Sequence, residues 1–149
     1  MPVHTEQSRP AVATRRVGYV AAIVVNAVML YAVNVWPGWD ALPFLTEDTR
    51  EVLGLVNASM LVGIAANAVY LLRDPPWVRA LGDVVTTSVG LAALVRIWQV
   101  FPLDFGDSTF DWALVAHVLL GVAVVGSVIG IVAGLASFVR NLPRHDRVS

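Results

Sequence analysis

The sequence predicts an all-α fold: an integral membrane four-helix bundle made of two hairpins, with the N- and C-termini cytoplasmic. Three observations predict it. The first is composition. The chain of 149 residues is 57 % hydrophobic and only 14 % charged, with a mean hydropathy of +0.70, whereas a soluble domain is about a quarter charged. The second is that the apolar residues gather in four long runs, each of roughly 20 residues or more, which is the length a helix needs to cross hydrocarbon. The third is the placement of arginine, which falls almost wholly on one side of the four runs.

The first run, residues 17–36, reads VGYVAAIVVNAVMLYAVNVW and carries no charge. Arg15 and Arg16 precede it, as in a signal peptide, but the stretch is too long for a signal-peptide core and has no clear small-residue cleavage site before Trp36. It is therefore expected to be a retained helix, stopped by Pro37 and Gly38. Residues 1–15 are polar and are expected to form a loose cytoplasmic tail in which His4 has no special role.

A loop with Trp39 and Phe44 suits the aromatic belt of a membrane surface, together with Trp36. The second run, 52–72, carries Asn57 and Asn67, with Asp48 or Thr49 available as its N-cap. Arg73, Asp74, Pro75 and Pro76 make a short stiff turn. The third run, 77–100, has Asp83 near its start and Arg96 near its end, and an acidic, aromatic loop follows. The fourth, 112–139, holds His117, Gly121 and the series Gly126, Gly130 and Gly134. Residues 16–140 thus form the membrane domain, and 141–149 a second cytoplasmic tail.

Orientation follows from the arginines. Arg9, Arg15, Arg16, Arg73, Arg79, Arg140, Arg144 and Arg147 lie on one side. The other side has Arg50 among Asp40, Glu47, Asp48, Glu51, Asp104, Asp107 and Asp111. Cytoplasmic loops carry the excess of basic residues, so both termini are expected inside and the two longer loops outside, in a multi-pass protein of the cell membrane.

The two hairpins also resemble one another. Asn34-Val35-Trp36 precedes a loop containing Pro43-Phe44-Leu45, and Arg96-Ile97-Trp98 precedes one containing Phe101-Pro102-Leu103. Val25-Asn26-Ala27-Val28-Met29-Leu30 similarly echoes Val56-Asn57-Ala58-Ser59-Met60-Leu61. Two such units would be related by an axis along the membrane normal, although apolar helices resemble each other easily by chance.

Polar residues within the spans give the candidate site, because such groups are costly in lipid and mark packing or function. At 1.5 Å per residue, His117 and Asn57 lie about 7 Å below the outer surface and Arg96 about 6 Å, with Asn34 shallower. One polar residue from each helix thus reaches one outer layer: Asn34, Asn57, Arg96 and His117, roofed by Trp36, Trp39, Trp98 and Trp112. Three readings stand side by side. In one, Arg96 holds an anionic or polar head group through its fork of donors, aided by His117, Asn57, Asn34 and Trp98. In another, Arg96 pairs with a nearby carboxylate such as Glu51, Asp40, Asp104, Asp107 or Asp111, and the amides pin helices together. In the third, Arg96 snorkels outward.

Elsewhere the plainer account is preferred. Arg79 and Asp83 have the spacing of a local i,i+4 pair, and Thr86, Thr87 and Ser88 are expected to bond back to their own helix. Asn26, Asn67 and Asp83 could continue a polar path, but Asp83 and Arg96 differ by about 220° in helical phase and share no face. Gly126, Gly130 and Gly134 form a small-residue ridge for close helix packing, with Asn26, Ala27 and the Ala-rich part of the second span or with another subunit.

The absence of cysteine excludes disulfides and thiolate metal sites within the chain. No histidine–carboxylate spacing suits a metal, and a single membrane histidine cannot supply a bis-histidine haem site, so no cofactor is expected. A net charge of -1 with no basic groove argues against nucleic acid. No phosphate loop, nucleophile elbow or zincin motif occurs, and an enzyme is not favoured. The partners expected are the bilayer, a lipid or small-molecule ligand, and further copies or a larger membrane assembly. The function classes that remain are a ligand binder, a structural or accessory subunit, an oligomeric transporter or channel, and a small enzyme acting on lipid.

Overall fold

The computed structural model describes residues 8–143, with side chains from Ala11 onward. His4, Arg144 and Arg147, and the side chain of Arg9, lie outside the described residues. Four helices follow one another: α1 Ser8–Asn34, α2 Thr49–Leu72, α3 Pro76–Val100 and α4 Trp112–Asn141. All four are long and apolar enough to cross a membrane. At 1.5 Å per residue, even α2 extends about 36 Å against a hydrocarbon core of about 30 Å. The protein is thus an all-α, multi-pass membrane bundle.

Local chemistry explains the starts of α3 and α4. Pro76 opens α3 at the first helical position, where a missing N–H costs nothing. Asp111 caps α4 by accepting a hydrogen bond from the Leu114 amide at 2.9 Å. Two boundaries depart from the sequence reading. α1 begins at Ser8, so the stretch expected to be a loose tail is helical from there and carries Arg15 and Arg16 on its first turns. Nothing in residues 8–16 breaks a helix, Pro10 standing where its absent N–H is tolerated. At α2, neither candidate cap acts: Asp48 makes no side-chain cap bond, and the Thr49 hydroxyl has no partner.

The packing is sequential. α1 packs on α2, α2 on α3 and α3 on α4, while α1 and α4 share no packed interface. A closed up-and-down bundle would bring the first and last helices together; here the four form an open row. The buried side chains of the helices accordingly lie on the two central ones: Thr49, Val52, Met60 and Tyr70 on α2, and Ala80 and Ala93 on α3. Flanking helices α1 and α4 bury none among the described residues and present valines, leucines and isoleucines outward, a surface that lipid covers without cost.

At the end of the bundle carrying the two long loops, called the loop end below, the hairpins are tied by backbone. Leu45 and Leu103 form an isolated antiparallel bridge. Thr46 N donates to Pro102 O at 3.0 Å and Asp104 N to Phe44 O at 2.8 Å. These are equivalent positions of the resembling loops, so the pairing respects the repeat. The helices do not: an axis exchanging the hairpins would copy the α2–α3 interface into an α4–α1 interface, which is absent.

Candidate functional site

Asn34, Asn57, Arg96 and His117 all lie toward the loop end, but they form three separate groups: the Asn34–Asn57 pair, Arg96 with Glu51, and His117. Asn34 and Asn57 exchange amide hydrogen bonds at 2.8 Å in both directions, joining α1 to α2. Asn34 also donates to the Leu30 carbonyl of its own helix at 2.8 Å. Arg96 donates to Glu51 at 2.9 Å, joining α3 to α2. Of the five carboxylates the sequence offered to Arg96, Glu51 is the one taken.

His117 is held in place by carbon as much as by polarity. Its Nδ1 lies 2.8 Å from the Ala113 carbonyl of the preceding turn. Its ring stacks on Phe101 with centroids 3.9 Å apart and meets Trp98 edge-on at 5.3 Å. Phe101 reaches this position from a left-handed backbone conformation, φ 44°, where α3 ends. That conformation is costly for a residue with a side chain. His117, Trp98, Gly121 and Val122 line an open groove on the outer surface of the α3–α4 hairpin.

An apolar, partly open space lies elsewhere. A cleft of about 380 Å³ opens between α1, α2 and the two loops, with Met29, Val33, Trp39, Leu42, Leu45, Val52, Leu53, Val56, Ile97 and Leu103 among its walls. Its lining includes none of the polar layer, although Val33, Val56 and Ile97 are chain neighbours of Asn34, Asn57 and Arg96. Thr49 is the exception to the apolar wall: it lines the cleft, is 5 % exposed, and its Oγ1 has no hydrogen-bond partner. Sequence reasoning missed this cleft because its walls are ordinary aliphatic residues, and Thr49 reads as a helix cap.

A second polar cluster sits at the opposite end. The Tyr70 hydroxyl donates toward Asp83 Oδ1 at 3.1 Å and lies 3.2 Å from the Arg79 carbonyl oxygen. Tyr19 packs on Tyr70 with ring centroids 5.3 Å apart. Tyr19 and Arg15 both donate to Asp74 Oδ2, at 3.4 and 3.2 Å. The expected Arg79–Asp83 pair is not formed. Tyr70 comes from the facing helix to take Asp83, and the buried Arg79 Nε has no partner. A tyrosine near the end of an apolar run, opposite Gly82, is the signal that was available.

Several of the remaining intramembrane polar groups bond to their own helix, Thr86 and Ser88 among them as expected, whereas the Thr87 hydroxyl does not. Asn26 donates to the Ala22 carbonyl and Asn67 to that of Gly63, both at 2.8 Å. Ser88 donates to Val84 O and Ser127 to Ala123 O. Along the glycine ridge, Gly134 lies against Val84 of α3 and Gly130 near Thr87, while Gly126 faces open space. The ridge thus meets α3 rather than the first or second span. Among the described residues, no three His, Asp or Glu side chains stand close enough to hold a metal ion. No protein-family model, curated protein or solved structure matches this chain.

Proposed function

We propose that this protein binds a lipid-like or small hydrophobic molecule in its outward-facing half, in the cleft between α1, α2 and the two long loops. The observation that carries the reading is the cleft: about 380 Å³, within the size range of small-molecule sites, which are mostly apolar and formed before the ligand arrives. The ligand expected from the sequence was a polar or anionic head group on Arg96. Arg96 already has a carboxylate at 2.9 Å, so the proposal moves from the head group to the apolar body. In this reading Arg96–Glu51 and Asn34–Asn57 hold the helices that frame the cleft, and His117 with Trp98 braces the neighbouring hairpin. The loop end faces outward and both termini lie in the cytoplasm, on the strength of the arginine distribution.

The test is native mass spectrometry of the protein released from detergent, followed by solvent extraction of what it carries. A discrete lipid-mass adduct is expected, and Ala32→Trp, which places an indole in the cleft wall, should remove it. A bare protein mass in the parent chain under conditions that preserve lipid adducts would sink the reading.

A second reading, an accessory subunit or homo-oligomer, draws on the open row of helices: α1 and α4 share no packed interface, and Gly126 and Gly130 are exposed on α4. It predicts a mass above one chain by sedimentation in detergent, and a loss of that mass in Gly130→Leu. An oligomeric transporter or channel has less support, since Asn26 and Asn67 bond to their own helices rather than facing a shared path.

A further inference from the structure

Asp83 stands about 10 Å along α3 from Pro76, within the stretch long and apolar enough to cross a membrane, and it is exposed. Among the described residues its carboxylate accepts one bond, from the Tyr70 hydroxyl at 3.1 Å. Arg79, one turn away, does not bridge to it, and the Arg79 Nε has no partner. A carboxylate at that depth is costly unless paired, and such groups mark partners or pathways. The neighbours on either side fix the direction in which it points. Gly82 lies against Tyr70 of α2, and Val84 against Gly134 of α4. Successive residues turn by about 100° around a helix. Asp83 therefore falls between the two packed sides, on a face of α3 that neither neighbouring helix covers.

The same face continues toward the bilayer centre through Thr87 and Gly90, one and two turns further along α3. Thr86 and Ser88 bond to carbonyls of their own helix, whereas the Thr87 hydroxyl has no partner among the described residues. A Cβ at Gly90 would meet nothing within 4 Å, so another backbone can approach closely there. The three residues form a strip about 10 Å long and line neither the cleft nor the His117 groove, which suits an extended occupant. Resting on the accessory reading above, and independent of the cleft, we propose that this strip docks a membrane-spanning helix of another protein that carries one basic side chain at the level of Asp83. Charge complementarity selects the partner. Its ammonium or guanidinium pairs with the Asp83 carboxylate, a further N–H reaches the Thr87 hydroxyl, and Gly90 receives its backbone. A second copy fits less well, because a two-fold pairing of this strip sets Asp83 opposite Asp83, like charges at one level.

The experiment uses the full chain in phosphatidylcholine vesicles, with a donor dye on Asn141→Cys, a unique thiol because the chain has no cysteine. The probes are acceptor-labelled synthetic leucine–alanine helices that span the bilayer, with lysine or glutamine two turns from one end. The lysine helix is expected to half-saturate energy transfer at about tenfold lower peptide-to-lipid ratio than the glutamine helix, the difference between a charge-assisted and a neutral hydrogen bond. Asp83→Asn keeps an oxygen for the Tyr70 hydroxyl, so the fold is retained, and should reduce that preference below about twofold. Gly90→Leu should weaken both helices alike. Equal binding of the two helices to the parent chain, or a lysine preference that survives Asp83→Asn, overturns the inference. Lysine-helix binding that Gly90→Leu leaves unchanged overturns it as well, since the carboxylate would then capture an amine without packing a helix. Self-association of the parent chain that Asp83→Asn abolishes would assign the strip to a second copy. Any of these results leaves the cleft reading intact, and a mass above one chain that Gly130→Leu reduces would keep the accessory reading.

Discussion

Asn34 and Asn57 exchange two amide hydrogen bonds across the α1–α2 interface, each Nδ2 donating to the other's Oδ1 at 2.8 Å. The pair is reciprocal, so losing either amide strands one donor and one acceptor on the other side chain. Asn34 retains its bond to the Leu30 carbonyl, which softens the loss for its donor but not for its acceptor. Interhelical hydrogen bonds in membranes average about 0.6 kcal/mol and reach about 1.7. Replacing Asn34 and Asn57 by Leu singly and together should therefore give a coupling in that range, read from reversible unfolding in mixed micelles. Additive single losses would show that the two amides do not act as a unit.

Tyr70 and Gly82 form a tighter pairing. A Cβ added at Gly82 would run into the Tyr70 hydroxyl and come within 2.7 Å of Cζ. The tyrosine is buried and its hydroxyl is held by Asp83, so it cannot swing aside freely. Gly82→Ala should lower stability by about 1–3 kcal/mol, the usual cost of overpacking, despite the better helix propensity of alanine. Adding Tyr70→Phe should restore part of the loss, because the oxygen leaves but the ring stays. Thermal unfolding in detergent measures both. Gly82→Ala at or above the stability of the parent would contradict the close approach.

The glycines of α4 should separate by position. Gly126 has open space where a Cβ would go, whereas at Gly134 the Val84 Cγ2 stands 2.8 Å away. Gly126→Ala should be neutral or stabilising by up to about 1 kcal/mol, from helix propensity alone. Gly134→Ala must move Val84 and should fall below Gly126→Ala by about 1–3 kcal/mol. Equal effects at the two sites would mean that the ridge makes no graded contact with α3.

These contrasts show what a linear reading can and cannot reach. The four spans were legible because hydrophobic length is a local property; α3 and α4 begin within one residue of where the apolar runs begin. The start of α1 was not, because the helix continues backward from the membrane run into Arg15 and Arg16, whose polarity says nothing against helix. That Asn34, Asn57, Arg96 and His117 fall toward one end of the helices was legible, since position along a helix follows from residue counting. Their pairing was not: choosing Glu51 over Asp104 for Arg96 depends on which helices are neighbours. The same ignorance of neighbours hid the Tyr70–Asp83 contact behind the local Arg79 spacing, and left Thr49 looking like a cap when it stands in the wall of a cleft.

The topology itself can be tested cleanly because the chain contains no cysteine, so any thiol introduced is the only one. Asp107 lies in the second long loop and is exposed, while Asn141 is the last residue of α4, exposed at the opposite end. In the orientation proposed from the arginine distribution, the Asn141 end is cytoplasmic. Asp107→Cys should react with a membrane-impermeant maleimide on intact cells, and Asn141→Cys only after permeabilisation. The Arg15–Asp74 contact at 3.2 Å ties α1 to the α2–α3 turn at that same end, so Arg73→Cys should follow Asn141→Cys. Labelling of the Asn141 thiol in intact cells would invert the protein, and the cleft would then open toward the cytoplasmic leaflet. The ligand would have to enter from that leaflet, and the binding reading would stand with its direction reversed.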